Sequence, residues 1–106
     1  MNKKVVVKEI VLLTVIIDRE RRDSLIALLS EAGGQLINTM YGKGLVNAAP
    51  LMEAFGLVSE ENRVIITCLL PSEESEPMIK TLVEKFDLGK LNTGAAFTVP
   101  VEELSF

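Results

Sequence analysis

No histidine occurs in this sequence, which removes imidazole acid/base catalysis and the commonest metal ligand. The single thiol, Cys68, sits in the apolar run Thr67-Cys68-Leu69-Leu70. A nucleophilic cysteine needs an electropositive and partly open setting, so Cys68 reads as a buried, inert side chain. Carboxylates stand together at Glu60-Glu61, Glu73-Glu74 and Glu102-Glu103. Neighbours in sequence point apart on helices and strands, so these pairs are expected at solvated element ends, not as acid/base dyads. No catalytic residue and no metal ligand set emerges, and the expected role is not enzymatic. Two glycine-bearing turns remain, Gly42-Lys43-Gly44 and Gly89-Lys90-Leu91-Asn92-Thr93-Gly94. Glycine lets backbone N–H groups approach an anion closely, and a lysine adds charge. Taken alone, each is as readily an ordinary turn. The basic cluster Arg19, Arg21 and Arg22, broken by Glu20 and followed by Asp23, reads as a solvated helix start.

The elements that would carry these turns follow from periodicity. Ile10 to Ile17 is apolar and β-branched almost throughout, as in a strand covered on both faces. Asp18 is placed to cap a helix whose stripe is Leu25, Ile26, Leu28, Leu29 and Ala32, with Gly33-Gly34 as its stop. Gln35 to Tyr41 is a second strand. From Leu45 to Asn62 the periodicity is poor. Asn47 could cap a short helix there, with Leu51, Met52 and Phe55 on one face, either packing on its own domain or docking a partner. Arg63 to Leu70 is a third strand. Ser72 or Ser75 is expected to cap a second helix with the stripe Met78, Ile79, Leu82, Val83 and Phe86, ended by Leu88-Gly89. Ala95 to Val101 is the fourth strand. The order βαββαβ predicts an α+β, ferredoxin-like sandwich. Its four-stranded antiparallel sheet carries two helices on one face, with the first and third strands central.

Length, charge and hydropathy agree with one domain spanning 1–106. Such a domain buries roughly two-thirds of the surface its unfolded chain exposes. The apolar share of 48% and mean hydropathy of +0.33 are high for that size. Strands one and three are apolar on both sides, so the sheet face without helices needs a cover, most economically another subunit; a monomer with a generous core is the alternative. The net charge of −4 gives no basic footprint for nucleic acid. No apolar run reaches the length of a membrane span. The basic-then-apolar start lacks a signal-peptide pattern, and a lone cysteine suits a reducing compartment. The cytoplasm is expected.

Over nearly the whole chain the layout resembles the nitrogen-regulatory P-II superfamily. Val11-Leu12-Leu13-Thr14-Val15-Ile16-Ile17 is similar to the family's opening strand, and Leu28-Leu29-Ser30-Glu31-Ala32-Gly33 to its first helix end. Tyr41-Gly42-Lys43-Gly44 resembles the base of the family's long T-loop, here residues 43–62. Gly89 to Phe97 resembles the segment between its second helix and last strand. The final strand, Gly94-Ala95-Ala96-Phe97-Thr98-Val99-Pro100-Val101, is most like that of short bacterial P-II-like proteins.

The resemblance implies a homotrimer with intersubunit clefts that bind ATP, ADP or AMP, often with 2-oxoglutarate. It further implies a T-loop that engages a membrane transporter or metabolic enzyme. Gly42, Lys43, Gly44, Gly89, Lys90 and Gly94 would line the cleft, and Leu51, Met52 and Phe55 would meet the partner. Several family features are replaced. Leu45-Val46 stand where an Arg-Gln pair is usual, Ala95 stands at the phosphate-binding lysine, and no tyrosine lies between Leu45 and Asn62. The C-terminal arginines that close on phosphates are not found before Phe106. Each lost charge-assisted contact is worth roughly 1.5–3 kcal/mol, so weakened ATP binding is expected. Lys43, Lys90 or Arg63 could substitute. Two other roles fit the same fold: a ligand-free interaction subunit, or a trimer like the divalent-cation-tolerance proteins. Without histidine, the latter has little to hold a soft metal.

Overall fold

A computed structural model describes residues 4–41, 62–90 and 93–105, and side chains within 9–101 of those ranges. Four strands form one antiparallel sheet: β1 (Lys4–Asp18), β2 (Gln35–Met40), β3 (Arg63–Pro71) and β4 (Ala95–Ser105), in the order β2-β3-β1-β4. Two helices, α1 (Arg22–Glu31) and α2 (Ser75–Phe86), complete the βαββαβ order. The ferredoxin-like arrangement with β1 and β3 central is therefore as expected.

Register shows how each face is built. Leu13 pairs with Cys68 and Thr98, and Val15 with Ile66 and Ala96. These rows, with Val11, Ile17, Val64 and Leu70, meet Leu25 and Leu29 of α1 and Met78, Leu82 and Phe86 of α2 in one buried core. Burying each of these large side chains contributes about 1.5–3 kcal/mol. The opposite face carries the alternate residues. Leu69, Leu12 and Val99 form one row, Thr67, Thr14 and Phe97 the next, and Ile65, Ile16 and Ala95 a third.

The local signals correct several expectations. α1 stops where Gly33, at φ +86°, turns left-handed, and Gly34 N–H donates to Leu29 O at 2.8 Å. Asp18 does not cap α1. A 3-10 turn, Arg19–Arg21, intervenes, and no side-chain cap bond forms. Likewise a 3-10 turn at Ser72–Glu74 precedes α2, and neither serine caps it. Ser75 Oγ lies instead 3.3 Å from Thr98 Oγ1 of β4. α2 ends at Phe86 because Asp87, not Gly89, takes the left-handed conformation, at φ 57°. Val83 is exposed, since Met78, Leu82 and Phe86 already fill the face that meets the sheet. β1 and β4 run further than their apolar stretches. They pair from Lys4↔Ser105 to Val6↔Glu103, beyond the last β1–β3 pair, Ile10↔Pro71. Glu102-Glu103 thus lies within a strand and not at its end. No helix among the described residues is long and apolar enough to cross a membrane.

Candidate functional site

Four strand termini gather at one end of the sheet: the end of β1, the end of β2, the start of β3 and the start of β4. Asp18 pairs there with Arg63, and Ile16 with Ala95. The Asp18–Arg22 turn lies at this end, and its arginines reach Tyr41, Phe86 and Thr93. Arg21 donates from Nε to Asp18 Oδ2 at 2.9 Å and from Nη2 to Asp18 Oδ1 at 3.3 Å. The same guanidinium donates from Nη1 to Phe86 O at 2.6 Å and from Nη2 to Thr93 O at 3.3 Å, and lies 5.5 Å from the Phe86 ring centroid. Arg63, only 3% exposed, donates to Thr93 O at 3.4 Å. Burying a charge is costly unless it is paired, and no buried side-chain nitrogen or oxygen among the described residues lacks a partner.

Arg19 and Arg22 flank Tyr41, the last described residue of the β2 end, with guanidinium carbons 5.2 and 5.7 Å from its ring centroid. Arg22 also donates to the Tyr41 hydroxyl. Hydrogen bonding to Asp23, and secondarily to Tyr41, raises the Arg22 pKa further above its ordinary value. The backbone N–H of Arg19 donates to Asn62 O, just ahead of β3. The basic cluster does lead into α1 with Arg19 exposed, but Arg21 is also part-buried and joins segments at this end of the sheet. Its role left no trace in local sequence, because Arg21 is bound to main-chain carbonyls 65 and 72 residues away.

Of the expected site residues, Gly89, Lys90 and Gly94 belong to this end. Gly42, Lys43, Gly44, Leu51, Met52 and Phe55 lie outside the described residues. Lys90 is exposed, with Nζ 3.5 Å from Asp87 Oδ1, a surface pair worth about 0–1 kcal/mol. The segment closes on itself through Lys90 N–H to Asp87 O at 3.0 Å and Thr93 N–H to Lys90 O at 3.4 Å. Its glycines differ in kind. A Cβ at buried Gly94 would stand 2.4 Å from Ile16 O and 2.8 Å from Leu88 Cδ2, so close packing on β1 demands glycine. At Gly89 a Cβ would meet only Val83 Cγ1, at 3.7 Å. Neither packing nor backbone requires glycine there.

The thiol of Cys68 is buried and its pKa is pushed up to about 11 by desolvation, so it holds little thiolate at neutral pH. Among the described residues no group of three or more His, Cys, Asp or Glu side chains could hold a metal ion. A groove of about 460 Å3 adjoins this end between α1 and α2, lined by Arg21, Ser24, Leu28, Glu31, Lys85 and Phe86 among others.

No protein-family model matches this sequence, and no curated protein matches it. Solved structures do match the fold. The apo form of CPII from Thiomonas intermedia, a nitrogen regulatory PII-like protein, is 13% identical with a TM-score of 0.66, over 100% of this chain and 99% of that one. The same protein solved with ADP, AMP and bicarbonate is 16% identical with a TM-score of 0.59, over 100% and 98%. Arabidopsis thaliana PII bound to citrate is 16% identical with a TM-score of 0.58, over 90% of this chain and 79% of that one. The fold of this chain is that of the PII-like nitrogen regulatory proteins.

Proposed function

We propose that this chain is a divergent PII-like regulatory protein: a non-enzymatic, cytoplasmic homotrimer that senses an adenine nucleotide or a small anion and signals to a partner. One observation carries the reading. Its fold corresponds over the full chain to a PII-like protein solved with ADP, AMP and bicarbonate. The trimer would be built on the open sheet face, whose Leu12 and Val99 are 36% and 48% exposed in the single chain. The ligand would sit between subunits beside Gly89, Lys90 and Gly94, at the end of the sheet where the arginines gather. The partner would be a transporter or enzyme of nitrogen or related metabolism, controlled through a ligand that favours one conformation over another.

Isothermal titration of the purified protein against ATP, ADP, AMP, bicarbonate and 2-oxoglutarate tests the sensor. ADP or AMP is expected to bind at micromolar concentration and ATP more weakly, because Ala95 replaces a phosphate-binding lysine. Absence of heat with every ligand contradicts the sensing role. A second reading, a ligand-free interaction subunit, draws support from the four hydrogen bonds that commit Arg21 to protein acceptors. A trimer that persists while every titration stays flat supports that reading.

A further inference from the structure

The α2–β4 connection carries Gly89 and Lys90; of its described residues, Leu88 packs against the core and buried Gly94 lies close against Ile16 of β1. Lys90 pairs with nearby Asp87 at the surface. Among the described residues two turn bonds run within the segment, Lys90 N–H to Asp87 O and Thr93 N–H to Lys90 O. Its ends are held from outside. Phe86 O, at the last residue of α2, and Thr93 O, two residues before β4, accept from the same guanidinium, that of Arg21. That group is itself oriented by the Asp18 carboxylate through Nε and Nη2. A guanidinium is planar, with its donors in a rigid fork. Two carbonyls bonded to one such plane are held at a set spacing, and that spacing governs how the chain between them can run. A backbone N–H pocket for an anion depends on that course.

We infer that Arg21 is the positioning residue of the α2–β4 connection, setting the span between Phe86 and Thr93 and so the geometry in which Gly89 and Lys90 meet a ligand. Asp18 serves as its orienting partner. The inference rests on the proposed nucleotide or anion site, but the clamp itself is a property of the unliganded chain. Lysine at position 21 would keep the charge and lose the fork.

Two measurements on wild type and Arg21→Lys separate the possibilities. In protein without nucleotide, amide exchange at Lys90 and Thr93 is expected to quicken at least tenfold in the variant, while amides in the centres of β1 and β3 are unchanged relative to global stability. In titrations with ADP alone and AMP alone, the variant is expected to bind at least tenfold more weakly. Unchanged exchange at Lys90 and Thr93 overturns the clamp whether or not a nucleotide binds. Faster exchange with equal affinities overturns its role at the site, leaving a purely structural residue. Wild type that binds neither nucleotide defeats the sensor reading, while the exchange data still decide the clamp. Should Arg21→Lys not fold, Asp18→Asn gives the same readouts. It leaves the fork intact but weakly oriented, and a quickening of at least threefold is expected; no change again overturns the inference.

Discussion

On the helix side of the sheet, Leu13, Val15, Ile17, Val64 and Ile66 are each 0% exposed, sealed by side chains from both helices. One residue along the same strands, the other face keeps Leu12 at 36% and Val99, its partner across the ladder, at 48%. Composition does not separate the two sides, since both are largely apolar. What separates them is that the two helices among the described residues both pack on one face. An antiparallel sheet with a solvated face normally alternates apolar and polar residues. Leu12 and Val99 break that alternation while exposed, whereas Ile16 and Ile65 of the same face are buried within the single chain. The exposed part of this face, Leu12 with Val99, is where the proposed trimer would place a neighbouring copy.

The difference can be sharpened at two neighbouring positions. Leu13→Ala removes a fully buried side chain and is expected to cost about 2–5 kcal/mol, read as a fall in denaturation midpoint at all protein concentrations. Leu12→Ala should leave a dilute chain within about 1 kcal/mol of wild type. Its deficit should grow with concentration if, as proposed, the missing contact is with another copy. Equal and concentration-independent losses at both sites would erase the distinction between the faces.

A smaller effect is expected from the two glycines of the α2–β4 connection. Gly94→Ala forces a methyl against the β1 backbone at 2.4 Å and should destabilise by about 1–3 kcal/mol, whereas Gly89→Ala should stay within about 0.5 kcal/mol. Chemical denaturation of both variants checks the contrast. If Gly89→Ala nevertheless abolishes nucleotide binding, the glycine is there for the ligand.

The mildest test concerns the closed face alone. The folded thiol of Cys68, pushed up to about 11 from its ordinary 9.0, keeps its proton where the unfolded chain has lost it. Its contribution is therefore complete below about pH 9 and lost as pH rises towards 11. Stability should decline across that window by at most about 1.4 kcal/mol per pH unit, and Cys68→Ala should flatten this part of the slope. An identical decline in the variant would mean that Cys68 is not desolvated.

Much of the fold was legible because its strongest signals are local. The β-branched runs of β1 and β3 mark central strands, and Gly33-Gly34 ends α1 with the left-handed turn such a pair favours. The rest depended on partners remote in sequence. The outer parts of β1 and β4 pair from Lys4↔Ser105 to Val6↔Glu103, beyond a register irregularity between Val6 and Ile10. Glu102-Glu103 looks like an element end until each strand supplies the other's ladder. Asp87 takes the left-handed position that ends α2 at Phe86, two residues before Gly89, which local propensity favours. Of the site, Gly89, Lys90 and Gly94 could be named from turn chemistry, but the cause of Gly94 is a close approach to Ile16 that no local pattern encodes. Arg21 and Arg63 both converge on the carbonyl of Thr93. Any residue offers such an acceptor, so no side-chain pattern could have announced it.

Sedimentation equilibrium at micromolar protein concentration reaches the central claim most directly. If identical chains cover the open face, the mass in solution is three times the 11.6 kDa of one chain, and Leu12→Lys drives it down towards a single chain. A wild-type protein that sediments as one chain across that range would leave Leu12 and Val99 facing water, and the shared cleft would not form.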